Sequence, residues 1–416
     1  MRIAYICQSY PPMVSGASIV VGKLAEGMAN KGHKVLVCAS SDSGEFYESE
    51  QKNLKIIRFQ SLPNPIHIEK RFLLWPTRRV REEVIKFNPD VVHIHEPVIA
   101  GRIGLSCKKS LNVPLILTNH QLPWIVFAFF DFFPSSIRNN LGDVLWGYFS
   151  WFLPNCDAVI APSCTIAEIL SKRTACPVSA ISNGLDINQF SNRSSDPEEK
   201  YNLCKKFNLD PDLPIILHVG RIDKDKQVDL VIAAAAEVLE QVEAQLLVVG
   251  DGTKLNSVIN IAKTLGISDR CQFPGYVDFD GDLPGLYRIA SVFTSASEIE
   301  TQGMVLLEAA ASGLPIVAVD ATCIWEILED GINGFLVPPG NTSEIAEKIK
   351  LLLTHPDRAK KMGEKSYQIA QKHAIQNTIE EHELLYASSV EQVKEKNPQY
   401  VLHRSLYNKK NLQELD

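Results

Sequence analysis

The chain has 416 residues, 45% of them hydrophobic and 22% charged, with 23 glycines, 23 prolines and a formal net charge of −7. At ~150 residues per domain this is two to three domains with ample length for buried cores, and the ordinary composition excludes a disordered chain, a collagen-like repeat and a disulfide mini-scaffold. The negative balance excludes a general affinity for nucleic acid, and it is uneven: +3 over residues 1–200 and −10 over residues 201–416.

Short β-branched runs alternate with helical patterns from the first residues. Ile3–Gln8 reads as a strand, and Ser18–Lys31 as a helix stopped by Gly32. Strands follow at Lys34–Ala39 and Leu54–Phe59, a helix at Val80–Phe87, a strand at Asp90–Ile94 and a helix over 98–110. Strands Pro114–Thr118 and Asp157–Ala161, helix Thr165–Leu170 and strand Val178–Ile181 complete the first series. Asn192–Lys200 is polar, contains Pro197 and reads as a boundary or exposed loop.

The rhythm then restarts. Strands are expected at Ile215–Val219, Ala244–Val249, Cys271–Phe273, Ser291–Thr294, Pro315–Val319 and Phe335–Val337. Helices are expected over 226–240, 253–265, 283–289 and 303–312, and another opens at Asn341–Glu344 with a variant capping box. The β-α-β alternation argues for two doubly wound parallel sheets in tandem. The last twenty residues, 397–416, are polar and read as a disordered tail.

One segment breaks the rhythm. Residues 124–152 hold 11 of the 33 aromatics, from Trp124 to Phe152. They read either as a helical hairpin packed in the first core or as an apolar surface for lipid. Lys70, Arg71, Arg78, Arg79, Arg81 and Lys86 flank Phe72–Trp75. That run is either a solvated helix face or a contact for an anionic membrane.

The nine cysteines form no C-x-x-C pair and read as buried small hydrophobes of a reducing compartment. The first residues lack a signal-peptide core, and no run of ~18 apolar residues occurs. The expected location is the cytoplasm.

Absent motifs narrow the chemistry. Without G-x-G-x-x-G after a strand, a P-loop or a G-x-S-x-G elbow, a dinucleotide oxidoreductase, a P-loop enzyme and an α/β-hydrolase are disfavoured. His93, His95 and His120 lack a carboxylate fixed beside them by spacing, so no metal site is expected. The triplets Asp210–Asp212, Asp223–Asp225 and Asp280–Asp282 are accounted for by chance in so acidic a chain.

Other residues point to an anionic ligand. Strand Ile215–Val219 runs into Gly220 and Arg221, with Lys226 five residues on. A glycine admits close backbone approach, and Arg and Lys at a strand end can clamp a diphosphate. After a second strand come Glu300, Gly303 and a helix start whose free amides suit an anion, with Glu308 within that helix. A carboxylate offers two acceptor oxygens to vicinal hydroxyls.

These residues resemble the GT-B-fold retaining glycosyltransferases of family 4. The E-x7-E signature is Glu300 to Glu308, and the G-R-x4-K element is Gly220, Arg221 and Lys226. Gly250-Asp251-Gly252, Phe273-x-Gly275-Tyr276-Val277 and Asn183-Gly184-x-Asp186 match in type and order. So do Pro11-Pro12 with Gly16, the Asp90–His95 strand end and Thr118-x-His120. Ser15-Gly16-Ala17 stands where a Gly-Gly pair is common.

The resemblance implies two Rossmann-like doubly wound domains facing each other across a cleft. Residues 1–186 would be the acceptor-side domain, 187–372 the nucleotide-sugar domain, and 373–395 a helix crossing back to the first, with hinges near 186–200 and 370–375. Glu308 would accept from the ribose, and Tyr276 and Val277 would face the base. Arg221 and Lys226, with Gly220 and Gly252 beside them, would hold the diphosphate. Glu300 and the amides of Gly303, Met304 and Val305 would hold sugar and phosphate. Gly16 would approach the phosphates and His120 the transferred sugar. No cofactor or metal is implied.

Thr118–Pro123, the aromatic run and Glu300–Gly303 look most like the glycolipid-forming branch. This favours a UDP-sugar donor, a lipid acceptor such as diacylglycerol, and peripheral contact with the inner face of the cytoplasmic membrane through Lys70–Arg81 and residues 124–152. A soluble transferase acting on a sugar or polysaccharide, a nucleotide-sugar 2-epimerase and an inactive nucleotide-sugar-binding module are the alternatives.

Overall fold

The structure, a computed structural model, describes residues 1–13, 15–63, 71–73, 77–120, 122, 135–191 and 197–396. The chain divides into two compact units. The first draws its described residues from Met1–Pro123, Phe133–Asn183 and the segment from Ile375 onward; the second is Gly184–Ala374.

In the first unit, β1 (Arg2–Ile6), α1 (Gly16–Asn30), β2 (Lys34–Ser40), β3 (Tyr47–Gln51), β4 (Leu54–Phe59), β5 (Ser61–Pro63) and β6 (Arg71–Leu73) come first. They are followed by α2 (Thr77–Phe87), β7 (Val91–Ile94), α3 (Ile99–Leu111), β8 (Leu115–Thr118), α4 (Ser135–Phe152), β9 (Ala158–Ala161), α5 (Cys164–Ser171) and β10 (Val178–Ala180). Eight strands form one sheet in the order β10-β9-β8-β7-β1-β2-β4-β3, parallel except for β3, which runs antiparallel to β4. β5 and β6 pair separately.

In the second unit come α6 (Ile187–Ser191), α7 (Pro197–Lys206), β11 (Ile215–Val219), α8 (Val228–Leu239), β12 (Gln245–Val249), α9 (Leu255–Thr264), β13 (Cys271–Gly275) and α10 (Leu283–Ile289). Then follow β14 (Val292–Ser295), α11 (Met304–Ala311), β15 (Ile316–Val319), β16 (Gly334–Val337), α12 (Thr342–Thr354) and α13 (Pro356–Gln371). The sheet order is β13-β12-β11-β14-β15-β16, all parallel. α14 (Ile375–Lys396) belongs to the first unit, where it packs on α1.

The central strands of both sheets are buried on two faces and are near-continuous apolar runs. β11 shows the alternation: Ile215, Leu217 and Val219 enter one cluster with Leu306 and Leu307, while Ile216 enters the other with Val231 and Ile232. Strand order reverses at β1/β7 in the first sheet and at β11/β14 in the second. Open α/β sheets bind ligands beyond the strand ends at such points.

Several expectations change. The exposed loop at Asn192–Lys200 gives way to α7 from Pro197, while residues 192–196 lie outside the described residues. Proline suits the first helical turn, and Glu198, Glu199, Lys205 and Lys206 complement the helix dipole. β3, an exposed and charged edge strand, and α13 were not anticipated. The described part of the aromatic segment forms the long helix α4, and 123–134 lie outside the described residues, as do Lys70, Leu74, Trp75 and the tail 397–416. At Asn341 the cap forms, its side chain accepting from the Glu344 amide at 3.2 Å. The reciprocal bond runs from Asn341 Nδ2 to Glu344 Oε2, because the Asn341 amide is bonded to Pro338 O. Cys164 is exposed and Cys176 half-buried; the other seven cysteines are buried, and none is joined in a disulfide.

Candidate functional site

The second unit gathers charged side chains where β11 and β14 end. Gly220 N–H donates to Val249 O at 3.0 Å, and Gly250 N–H to Gly275 O at 2.8 Å, so three strand ends are laced together. Gly250 sits at φ +139°, and a Cβ there would lie 1.8 Å from Gly220 O. Only glycine closes this lacing.

Arg221 leaves the β11 end and pairs with Asp223 and, at 2.9 Å, with Asp225. Asp223 also accepts from the Thr253 amide and hydroxyl at 2.9 and 2.8 Å. Burial pushes the Asp223 carboxyl up, but the Thr253 bonds and the Arg221 guanidinium outweigh it and hold it below its ordinary value. The triplet containing Asp223 and Asp225 therefore orients a guanidinium. Asp210 accepts from the Asp212 amide, Asp280 from Gln189, and Asp282 pairs with Lys206.

Lys226 ends a short 3-10 turn before α8. Its Nζ donates to Glu300 Oε1 at 2.6 Å and to Ser297 Oγ at 3.3 Å, and both charged side chains are largely buried. The loop carrying Glu300 is pinned: its amide donates to Thr322 Oγ1, which itself donates to Glu298 O. Gln227 Nε2 donates to Glu298 Oε1 at 2.9 Å.

α11 begins one turn later. Its N-cap, Gly303, is left-handed at φ +80° and makes no side-chain cap. The first amides of a helix, here those of Met304 and Val305, have no intrahelical acceptor, a setting that suits an anion. Glu308, further along α11, is buried, and its Oε2 accepts from Tyr287 OH at 2.7 Å. Burial raises its carboxyl to about 7, against the pull of the Tyr287 bond. The two signature glutamates thus sit in different settings, one ion-paired and one buried against a phenol. Gly252 follows the laced strand ends, Tyr276 is exposed and Val277 is buried.

The remaining expected residues lie in the first unit. Gly16 opens α1, where Ser15 and Ser18 form a reciprocal capping box. Arg58 is buried beneath the preceding loop and donates to Tyr10 O, Ser40 O and Pro11 O. His120 follows β8, its Nε2 3.0 Å from His95 Nδ1 with the rings stacked at 15°. His93 bridges Tyr386 OH at 2.7 Å and Thr118 Oγ1 at 2.8 Å, and Tyr386 meets Tyr5 OH at 3.1 Å. His382 bonds Thr378 O at 2.7 Å. Burial lowers all four imidazoles, His120 and His382 to about 4, so they are neutral near pH 7. Among the described residues no group of three or more His, Cys, Asp or Glu is placed to hold a metal ion.

The basic stretch is partly engaged. Arg71 donates to Ser61, Arg78 pairs with Glu82, Arg79 stacks on Phe46 and Arg81 donates to Ser110. In the aromatic segment Phe149 and Phe152 are buried while Trp151 is exposed. Among the described residues no helix is long and apolar enough to cross a membrane.

Sequence reasoning missed Tyr287, His218 and Arg58, and the packing of His382 and Tyr386 on the His93, His95 and His120 group that it weighed as a metal site. His218, on β11, is buried with Nδ1 donating to Thr294 O at 2.9 Å. Tyr287 reads as one more apolar position of α10, and nothing in its spacing links it to Glu308.

The two doubly wound parallel-sheet units are those of a GT-B glycosyltransferase. Residues 14–189 match the family described as Glycosyltransferase Family 4, and residues 200–369 match Glycosyl transferases group 1. The chain belongs to these glycosyltransferases. It is 26% identical over 373 residues to an alpha-monoglucosyldiacylglycerol synthase of Streptococcus pneumoniae, covering 89% of this chain and 82% of that one. It is 27% identical over 363 residues to the sulfoquinovosyl transferase SQD2 of Arabidopsis thaliana, covering 85% and 66%. A solved structure of Anabaena Alr3699/HepE in complex with UDP-glucose shares the fold, with a TM-score of 0.73 and 20% identity over 93% of this chain and all of that one.

Proposed function

We propose that the chain is a retaining hexosyltransferase that moves a sugar from a nucleotide-sugar, a UDP-sugar in first place, to a hydroxyl of a membrane lipid of the diacylglycerol class. The observation that carries the donor side is the gathering of Arg221, Lys226 and Glu300 near the uncapped start of α11, at the β11/β14 reversal. A departing nucleoside diphosphate gains negative charge as the anomeric bond breaks. Arg221, Lys226 and the α11 amides offset that charge, and the reading calls for no metal or cofactor. Glu300 takes sugar hydroxyls, Glu308 the ribose, and the backbone at Tyr276–Val277 faces the base, with Gly220 and Gly252 leaving room for the phosphates. In the first unit, Gly16 is assigned to phosphate and His120 to the transferred sugar.

Retention follows front-face displacement. The bond from the anomeric carbon to the diphosphate oxygen breaks, the acceptor oxygen bonds the same face, and its proton passes to the departing phosphate.

The lipid acceptor is supported by the two relatives, one named for monoglucosyldiacylglycerol and the other for sulfoquinovosyl transfer, and by the exposed Arg78. Peripheral contact with the inner face of the cytoplasmic membrane belongs to the same reading. A soluble sugar or polysaccharide acceptor is the second reading, favoured by the intramolecular partners of Arg78, Arg79 and Arg81. The test is UDP release from a pool of UDP-sugars, with and without diacylglycerol in anionic mixed micelles. Lipid-dependent release, with sugar entering the organic phase, is expected. Release without lipid favours the second reading, and no release overturns the donor assignment.

A further inference from the structure

The geometry points to His95 as the residue that sets the tautomer of His120, so that His120 presents a neutral Nδ1–H donor rather than a basic lone pair. The inference rests on the proposed placement of His120 beside the transferred sugar.

His95 Nδ1 and His120 Nε2 are 3.0 Å apart, and the rings lie nearly parallel with centroids 5.4 Å apart. One nitrogen must donate and the other accept. A neutral imidazole carries one hydrogen, and the bond made by one nitrogen decides what the other offers. Two arrangements are open. If His120 Nε2–H donates, His95 must carry its own hydrogen on Nε2. If His95 Nδ1–H donates, His95 Nε2 is a bare lone pair and His120 carries its hydrogen on Nδ1.

The surroundings of His95 decide between them. Its Nε2 is buried and has no hydrogen-bond partner among the described residues, and the residue is only 7% exposed. The first arrangement would bury an N–H with no acceptor. The second buries an unused lone pair. Orphaned buried N–H groups are rarer in folded proteins than under-used acceptors, so the second arrangement is favoured. Protonating both nitrogens of either ring would place a charge among four clustered imidazoles, with His93 and His95 centroids 4.3 Å apart.

The backbone holds His95 in place. It follows β7 at the β1/β7 reversal, and its amide donates to Ile6 O at 3.1 Å. His93, two residues earlier, is locked between Tyr386 and Thr118. The pair therefore presents one defined hydrogen from His120. A donor at that atom suits a sugar hydroxyl or ring oxygen and agrees with a reaction in which the departing phosphate, not a histidine, takes the acceptor's proton. His95 is a positioning residue in this scheme.

The test reads the hydrogen directly. The full chain is labelled with ¹⁵N-histidine, and long-range ¹H–¹⁵N spectra at pH 7 report which ring nitrogen is protonated, His120 being assigned by the signal lost in H120N. His120 should carry Nδ1–H in the wild type. His95→Asn keeps a donor where Nδ1 stood and should preserve the pattern; His95→Leu removes it and should not. Turnover of UDP-glucose with diacylglycerol should fall roughly 10-fold in His95→Leu, the effect of losing one hydrogen bond, with partial rescue in His95→Asn. The KM for UDP-glucose should move less than kcat. A wild-type His120 carrying Nε2–H overturns the inference, as does a His95→Leu chain with unchanged tautomer and turnover. A wild type with Nδ1–H that uses no nucleotide-sugar overturns the proposed function and leaves the tautomer assignment standing.

Discussion

Raising the pH from 5.5 to 8.5 should tighten UDP-glucose binding by up to about 30-fold in the wild-type chain, and E308Q should remove that dependence. In the free protein, burial raises the Glu308 carboxyl to about 7, with the Tyr287 hydroxyl pulling the other way. Vicinal ribose hydroxyls need acceptor oxygens, and a protonated carboxyl turns one of its two into a donor. Binding that demands the ionised form strengthens about tenfold per pH unit below 7 and levels off above it. At pH 5.5 only about 3% of the carboxyl would be ionised. The figure is an upper limit, because the protonated group still accepts through one oxygen.

The E308Q control isolates this group. UDP-glucose has no titrating phosphate proton over that pH range, His218 is held near 4, and Asp223 lies below its ordinary value. Stability runs the opposite way. The folded carboxyl sits above its ordinary 4.5, so its contribution to the fold is fully present below 4.5 and is lost as pH rises through 7, by up to about 3 kcal/mol. The ligand-induced rise in Tm should therefore grow with pH. Y287F removes the bond that lowers the carboxyl, so its affinity midpoint should move above 7. Calorimetry at pH 5.5, 7 and 8.5 under matched ionic strength measures these effects. A flat wild-type affinity, or equal slopes in wild type and E308Q, refutes the ribose role.

Arg221→Ala and Lys226→Ala should each lower turnover at least ~10²-fold, measured as sugar transfer by chains whose circular dichroism shows them folded. Gly250→Ala should cost about 1–3 kcal/mol by overpacking, because its methyl meets Gly220 O; a Tm lowered by about 3–10 °C is expected, and an unchanged Tm would contradict the laced strand ends. Replacing Arg78, Arg79 and Arg81 together with serine should weaken sedimentation with anionic vesicles, and equal sedimentation would favour the soluble acceptor.

The alternation of apolar runs and helical patterns made both sheets legible in the sequence, since strands covered on two faces are nearly all apolar. β3 escaped because Tyr47–Gln51 is an exposed, charged edge with no apolar face. α7 escaped although its signals were present: a proline at the first turn, acids next and lysines at the end. The positions of Arg221, Lys226, Glu300 and Glu308 at strand ends and a helix start were legible because Gly220–Lys226 and Glu300–Glu308 each lie within one short segment. Of the histidine cluster only His93, His95 and His120 stood together in the sequence; Tyr5, His382 and Tyr386 join them from distant parts of the first unit.

The Lys226–Glu300 bond adds something that no motif records. Both charges are largely buried and satisfy each other in the free protein. Removing one leaves the other buried and unpaired, which costs far more than the pair itself contributes. A diphosphate and a sugar hydroxyl arriving together would give each charge a new partner at the same moment, whereas a nucleotide without a sugar would serve only Lys226. The pair thus makes intact donor a better fit than its nucleotide product. In E300Q, where Lys226 loses its counter-charge and keeps only neutral acceptors such as Ser297 Oγ, UDP should bind relatively better against UDP-glucose than in the wild type. Calorimetric titration of both ligands into both chains measures that ratio, and an unchanged ratio would show that the pair plays no part in distinguishing donor from product.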